Sequence, residues 1–510
     1  MEMNYAKTVE KWGTLEVAVK GPKEGNPFCD QWIKGTFECK NEKKTVDGFY
    51  DGDGVYKVRF MPSFVDTYTF KIESSFQTES AEEVSGSFEA VAPSADNHGP
   101  VRVVGTYYLA YEDGKPYHCI GTTCYVWNLQ NEKLQEQTLK TLEENAFNKI
   151  RFCIFPKHYD YNLHEPITYP YEGTPCDTSE LNENNFAEYN GCAPGNDWDF
   201  TRFNPAHFQH IEECIKKLMA LGIQADLIVM HPYDRWGFSM MKAEDDDRYW
   251  KYVLARFSAY RNVWWSLANE YDLMHEKTLA DWERYAAIIC EKDPYHHLRS
   301  IHNCKAYYDY NLPWVTHCSI QRTETYRSSE LVNEWREKYH KPVVLDEICY
   351  EGNIQFGWGN ISGEEMTRRF WEAFCRGGYP GHGETYLSPD RILWWSHGGV
   401  LHGTSPERIK FLAKIMEETP GLGVEPMPCK WDEVACRAAG FPARKDYFIY
   451  YYTFMRPSFR DFYFDDTTEY QVEIIDTWEM TITDGGIHKG QFRVQLPGKE
   501  YIAVRIKAVK

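Results

Sequence analysis

A chain of 510 residues is too long for one ordinary domain, so two or three are expected. Hydrophobic residues make up 43% of it and aromatics 16%, which excludes a disordered chain and supplies rings able to stack on the C–H faces of sugars. The formal net charge of −20 repels phosphate backbones and anionic membranes, so neither nucleic acid nor a membrane surface is expected as a partner.

The first residues, MEMNYAKTVEKW, contain no apolar core of a secretory leader, and no apolar run is long enough to span a bilayer. The fifteen cysteines are odd in number and lack C-x-x-C pairs, which suggests free thiols in a reducing compartment. The expectation is therefore a cytoplasmic protein whose substrate is small enough to be imported.

Residues 1–98 read as an immunoglobulin-like β-sandwich. TLEVAVKG, GTFEC, VYKVRFMP and TYTFKIES have strand character, and DGDG at 51–54 is a turn. Residues 93–100, PSADNHGP, form a linker. From 99 to 425 short β-rich runs alternate with helical segments, which predicts a (β/α)8 barrel. The strands are HCIGTTCY, KIRFCIF, QADLIVM, VWWSLA, LRSIH, VTHCSI and PVVLDE, with the eighth in either YPGHGETY or RILWW. The segment 204–222 opens with Asn-Pro and closes on Gly, as a helix should. No G-x-G-x-x-G follows the first strand, which removes the doubly wound alternative. Residues 426–510 return to strands (YFIYYYTF, EYQVEIIDTW, EMTITDGG, QFRVQLPG, EYIAVRIKAV) and read as a second β-sandwich.

In such a barrel the working residues project from the carboxyl ends of the strands. The fourth strand ends Trp-Trp-Ser-Leu-Ala-Asn269-Glu270, and the seventh ends Val-Val-Leu-Asp-Glu347. Strands four and seven face each other across the mouth, so the two glutamates form the opposed pair that glycoside cleavage requires. Asp346 and Glu351 compete with Glu347. Side-chain alternation should point Asp346 to the other face of the strand, and Glu351 lies beyond its end. A helix-start carboxylate is the bland reading of Glu270.

Supporting residues are read from the same rim. Arg151 in strand two could keep the nucleophile ionised, with a structural ion pair as its rival reading. His231 and His302 end strands three and five, Gln321 lies just after strand six, and all three suit sugar hydroxyls, although a lone histidine is as often structural. Glu384 is a third rim carboxylate. Trp394, Trp395, Tyr125 and Trp127 are candidate stacking rings, one of the paired tryptophans being a core candidate. The loop after strand three, residues 156–203 and the loop carrying Trp394 and Trp395 are the candidate pocket walls.

The Asn-Glu after strand four and the Glu closing strand seven resemble clan A glycoside hydrolases. More closely, GTTCYVWN, DWDFTRFNPAHFQHI, WWSLANEYDL and KPVVLDEICYEG resemble the apiosidase-like glycosidases, which also carry a β-domain at each end. The resemblance implies a retaining mechanism with Glu270 as acid/base, Glu347 as nucleophile and Asn269 on the sugar 2-hydroxyl. The chain departs from that group at strand one, where Tyr125 stands in the place usually held by Trp.

The expected function is thus a retaining, exo-acting glycoside hydrolase on an oligosaccharide or glycoside, with no cofactor and no metal. A homo-oligomer is neither required nor excluded. A metal-dependent hydrolase would need an H-x-H near strand one, where T-T-C-Y stands. A non-catalytic carbohydrate-binding protein would tolerate loss of either glutamate, yet both are present. A transglycosidase shares every one of these residues.

Overall fold

A computed structural model describes residues 3–76 and 84–509. The N-terminal part packs two sheets face to face. One joins Met3–Tyr5, Leu15–Lys20, Val55–Phe60 and Phe49–Tyr50; the other joins Thr8–Glu10, Val84–Val91, Asp66–Ser74, Ile33–Glu38 and Lys43–Asp47. Alternation explains the packing: Leu15, Val17 and Val19 are buried while their neighbours face outward. Their partners across the core include Phe37, stacked on Phe60 at 4.3 Å. Arg59 ties this part to the barrel, donating to Glu212 at 2.6 Å and to the Arg256 carbonyl at 2.7 Å.

The central part is an eight-stranded parallel barrel. Its strands are β1 (Gly121–Thr123), β2 (Lys149–Cys153), β3 (Gln224–Met230), β4 (Val263–Ala268), β5 (Arg299–Ser300), β6 (Cys318–Gln321), β7 (Val343–Glu347) and β8 (Tyr379–His382). They neighbour one another in the order β5-β4-β3-β2-β1-β8-β7-β6, and a parallel bridge between His302 and Ser319 closes the ring. The eighth strand therefore lies in YPGHGETY, while RILWW leads into a short helix, Trp394–His397.

The outer helices are α1 (Glu132–Glu144), α2 (Pro205–Ala220), α3 (Ala243–Phe257), α4 (Leu279–Lys292), α5 (Val332–Tyr339), α6 (Gly363–Cys375) and α7 (Ser405–Glu417). The start of α2 is set by Asn204, whose side chain accepts from Ala206 N, with Pro205 behind it. At the amino-terminal end of the barrel, the hairpin Val101–Val104/Tyr108–Tyr111 covers Trp264, Leu298, Val344 and Tyr379. The other end stays open to the loops.

Beyond α7, strands Val424–Pro426, Val434–Ala438, Tyr447–Tyr451, Ile502–Ala508, Tyr470–Asp476 and Thr481–His488 form a six-stranded antiparallel sheet. Tyr447, Ile449 and Tyr451 face the barrel core, Tyr451 lying 5.7 Å from Trp371 of α6. Phe448 and Tyr452 face the other way, against the hairpin Phe459–Tyr463/Gln491–Gln495. Among the described residues no helix is long and apolar enough to cross a membrane.

Candidate active site

The chain leaves β4 through a sharp turn at Glu270, whose φ is 52°. That left-handed conformation costs a non-glycine residue about 1–3 kcal/mol and persists where its surroundings over-determine it. Here Asn269 N donates to Met230 O and Tyr271 N to His302 O, each at 3.0 Å. The turn therefore holds the Glu270 side chain over the mouth.

The end of β7 departs from simple alternation. Ser319 pairs with Val344 but Gln321 pairs with Glu347, so β7 carries one residue more than β6 over this stretch. The bulge lets Asp346 and Glu347 both face inward, correcting the expectation that Asp346 points to the opposite side of the strand. Asp346 accepts from Lys149 at 2.7 Å and lies 3.8 Å from Arg151, one layer below Glu347. Lys149 and Arg151 hold its carboxyl well below the usual range against the opposing effect of burial.

Glu270 and Glu347 line one cavity of about 450 Å³, within the range of small-molecule sites. Each is 6% exposed. Glu347 accepts from the Tyr125 hydroxyl, and Arg151 Nη1 lies 3.4 Å from its Oε1. Glu270 accepts from Asn269 Nδ2 and Gln321 Nε2, each at 3.1 Å, and from the Tyr233 hydroxyl. Asn269 Oδ1 links the two halves, 3.0 Å from the Tyr125 hydroxyl and 3.3 Å from Arg151 Nη2.

Burial, and then the Glu270 carboxylate, push the Glu347 carboxyl up to about 7, opposed by Arg151. This value belongs to the pair, whose members cannot both ionise freely in a buried site. A full guanidinium charge stands beside Glu347 and neutral amides beside Glu270.

The remaining residues expected at the rim divide. Trp395 lines the cavity, its ring 4.8 Å from Tyr159 and 5.0 Å from Trp358. Trp394 does not: its indole donates to Thr122 at 2.8 Å inside the core, because the pair sits on a helical turn rather than a strand. Trp127 is fully buried against Phe152. His231 is buried off the cavity, 3.4 Å from the Phe155 carbonyl, and desolvation pushes it down to about 3. His302 reaches only to 3.8 Å from Glu347, and burial followed by Arg151 keeps it neutral. Glu384 also lies outside the cavity, accepting from the amides of His402 and Gly403 at 2.6 and 2.7 Å.

The sequence reading missed Lys157, Tyr233, Tyr350 and Trp358, all of which line the cavity. Lys157 is the most telling. Its ammonium lies 3.2 Å from the Tyr125 ring centre and 4.1 Å from that of Tyr233, and burial pushes it down to about 8. Its place four residues beyond β2 was the available signal. Residues 156–203 contribute Lys157, Tyr159, Tyr161 and Phe186, the loop after β3 contributes Tyr233, and the loop after β7 contributes Tyr350 and Trp358.

Residues 104–420 match the family model described as the apiosidase-like catalytic domain. The chain belongs to the apiosidase-like family. It is accordingly a glycosidase. Residues 8–75 match a domain of unknown function, DUF5060, and residues 431–507 another, DUF5605. A candidate glycoside hydrolase from Bacteroides vulgatus is 38% identical, covering 99% of this chain and 100% of its own, with a TM-score of 0.90. A glycoside hydrolase family 5 protein from the same organism is 16% identical over 80% of this chain and 94% of its own, at a TM-score of 0.59, a likeness of fold alone. No curated protein matches.

Proposed function

We propose that this glycosidase works by retaining double displacement, removing single sugars from the end of a small oligosaccharide or glycoside. The observation that carries the reading is the shared cavity: Glu270 and Glu347 stand in it together, each held by its own tyrosine and joined through Asn269. In the first step the Glu347 carboxylate attacks the anomeric carbon while Glu270 gives its proton to the departing glycosidic oxygen. A glycosyl ester of Glu347 and a free alcohol result. In the second step Glu270, now a carboxylate, takes a proton from water as the water oxygen displaces Glu347. Both residues end as they began.

Arg151 and Tyr125 serve as the groups that keep Glu347 anionic, and Tyr233 and Gln321 orient Glu270. Trp395, Tyr159 and Trp358 offer ring faces for the sugar. Walls from three long loops support a pocket rather than an open cleft, and hence action at chain ends.

The mechanism is tested by proton NMR of the first-formed product from an aryl glycoside: retained anomeric configuration is expected, and inversion would overturn it. Glu347→Gln should abolish turnover on every substrate, while azide should rescue Glu270→Gln as a glycosyl azide of retained configuration. The pocket is tested by digesting a polysaccharide beside a matching short oligosaccharide. Rapid mid-chain cleavage of the polymer would sink it.

A further inference from the structure

Outside the cavity a second group of ionisable side chains is gathered with no evident role in the reaction. Glu351 follows β7, His382 ends β8, and Glu384 lies two residues further on. They are 0%, 0% and 1% exposed, and none lines the cavity. One potential ligand atom from each lies within 4.8 Å of the other two.

The acceptor sites of the three can be counted. Glu351 Oε1 takes Thr404 N at 2.7 Å, Thr404 Oγ1 at 3.1 Å and the Tyr386 hydroxyl at 3.1 Å, while Oε2 takes only Ser405 N at 3.0 Å. Glu384 takes one amide on each oxygen. A carboxylate oxygen has two lone-pair sites, so Glu351 Oε2 and both Glu384 oxygens retain one each.

The two Oε2 atoms converge. A Cβ at Gly403 would lie 2.5 Å from that of Glu351 and 2.6 Å from that of Glu384. Into the same place comes His382, whose Nδ1 meets Thr122 Oγ1 at 3.2 Å and whose buried Nε2 has no partner among the described residues. With its proton on Nδ1 and donated to Thr122, the imidazole presents a free lone pair at Nε2, the arrangement usual for a ligating histidine. Among the described residues no lysine or arginine forms an ion pair with either carboxylate. A positive charge placed among these two buried carboxylates and the imidazole would meet one open lone pair from each.

We infer that Glu351, His382 and Glu384 form a structural binding site for one divalent cation of mixed nitrogen and oxygen preference, zinc before the others. Calcium and magnesium prefer all-oxygen shells, and an imidazole with two carboxylates is a zinc set. The ion would join the exits of β7 and β8 to the first turn of α7. Gly383, between two of the ligands, has no room for a Cβ because the Tyr350 ring fills it at 2.0 Å. The site thus braces the cavity wall that Tyr350 forms, while the chemistry proposed above uses no metal.

The test is metal analysis of the full chain after treatment with a strong chelator, incubation with excess zinc and gel filtration. Wild type and Glu347→Gln should each hold about one zinc per chain, and Glu384→Gln and His382→Gln should bind about tenfold more weakly or worse. Cobalt in place of zinc should give ligand-field bands without thiolate charge transfer, which separates this site from the free cysteines. Zinc should also raise the melting temperature of the wild type. A folded wild type that keeps no zinc, or variants that keep as much as wild type, would overturn the inference. Should both variants fail to fold, wild-type stoichiometry and the cobalt spectrum decide it. Because Glu347→Gln is inactive yet should load normally, failure here leaves the catalytic reading standing, and the reverse.

Discussion

Replacing Glu270 by Gln changes one charge and almost no volume, so its effect on Glu347 can be worked out from the structure. Raising the Glu347 carboxyl from 4.5 to about 7 disfavours its ionisation by about 3 kcal/mol, at about 1.4 kcal/mol per pH unit. Burial is the first cause and survives the change; the Glu270 carboxylate is the second and is removed, while Arg151 still pulls downward. Wild type should give a bell-shaped kcat/KM, falling on the alkaline side near pH 7 as the pair loses its shared proton. In Glu270→Gln, a dinitrophenyl glycoside needs no acid to leave. Its profile should lose that alkaline fall, and its acid limb should sit below pH 7. Glycosides of poor leaving groups should slow by about 10²–10⁴. A limb surviving near pH 8 belongs to Lys157 and should go with Lys157→Met. An alkaline fall near pH 7 persisting in Glu270→Gln with Lys157 also removed would refute the assignment of the proton to Glu270.

The raised carboxyl also carries a stability consequence. Between pH 4.5 and about 7 the folded glutamate pair keeps a proton that the unfolded chain has released, so its contribution declines by about 3 kcal/mol as pH rises. Glu347→Gln should therefore melt higher than wild type at pH 8 and alike at pH 4. The buried histidines act in the opposite sense: His207 and His397 are pushed down to about 4 and His231 to about 3 by desolvation. Each favours the folded state above pH 6.5 and should cost about 2 kcal/mol by pH 5. Chemical denaturation at the two pH values should show the steep loss, and a flat profile would contradict it. Arg151→Met leaves three acids short of a buried cation, so a loss of about 3–5 kcal/mol is expected. An unchanged denaturation midpoint would show that Arg151 does not hold them.

What the sequence revealed followed the rigidity of the elements. Glu270 and Glu347 were legible because each ends a strand whose period and apolar run are strong, and a barrel fixes where strand ends point. Asp346 was misplaced because the bulge in β7 depends on pairing with β6, a non-local fact that period-two alternation ignores. Trp394 and Trp395 could be told apart only once they were seen on a helical turn, where adjacent side chains diverge by a different angle than on a strand. Strand eight is four residues long with Pro and Gly among them, so propensity could not distinguish it from RILWW.

Lys157 is a failure of another kind, and it bears on how the pocket works. A lysine beyond a strand in an acidic chain reads as a surface residue, yet it is 2% exposed and held between Tyr125 and Tyr233, the two tyrosines that bond the two carboxylates. Arg151 cannot by itself neutralise this site, because its guanidinium also faces Asp226 and Asp346 at 3.7 and 3.8 Å. Two glutamates at the mouth thus meet two cations of different kinds. One is locked into a buried ionic layer under the strand ends; the other is cradled by ring faces and has no ion pair among the described residues. Ring faces stabilise an ammonium without consuming a carboxylate. Lys157 therefore raises the local positive potential while leaving both glutamates free for the substrate, which a third acid partner in its place would not do. The cost is a lysine held near its own titration, down at about 8, so the same contact that frees the carboxylates limits the pH range in which the pocket keeps its charge.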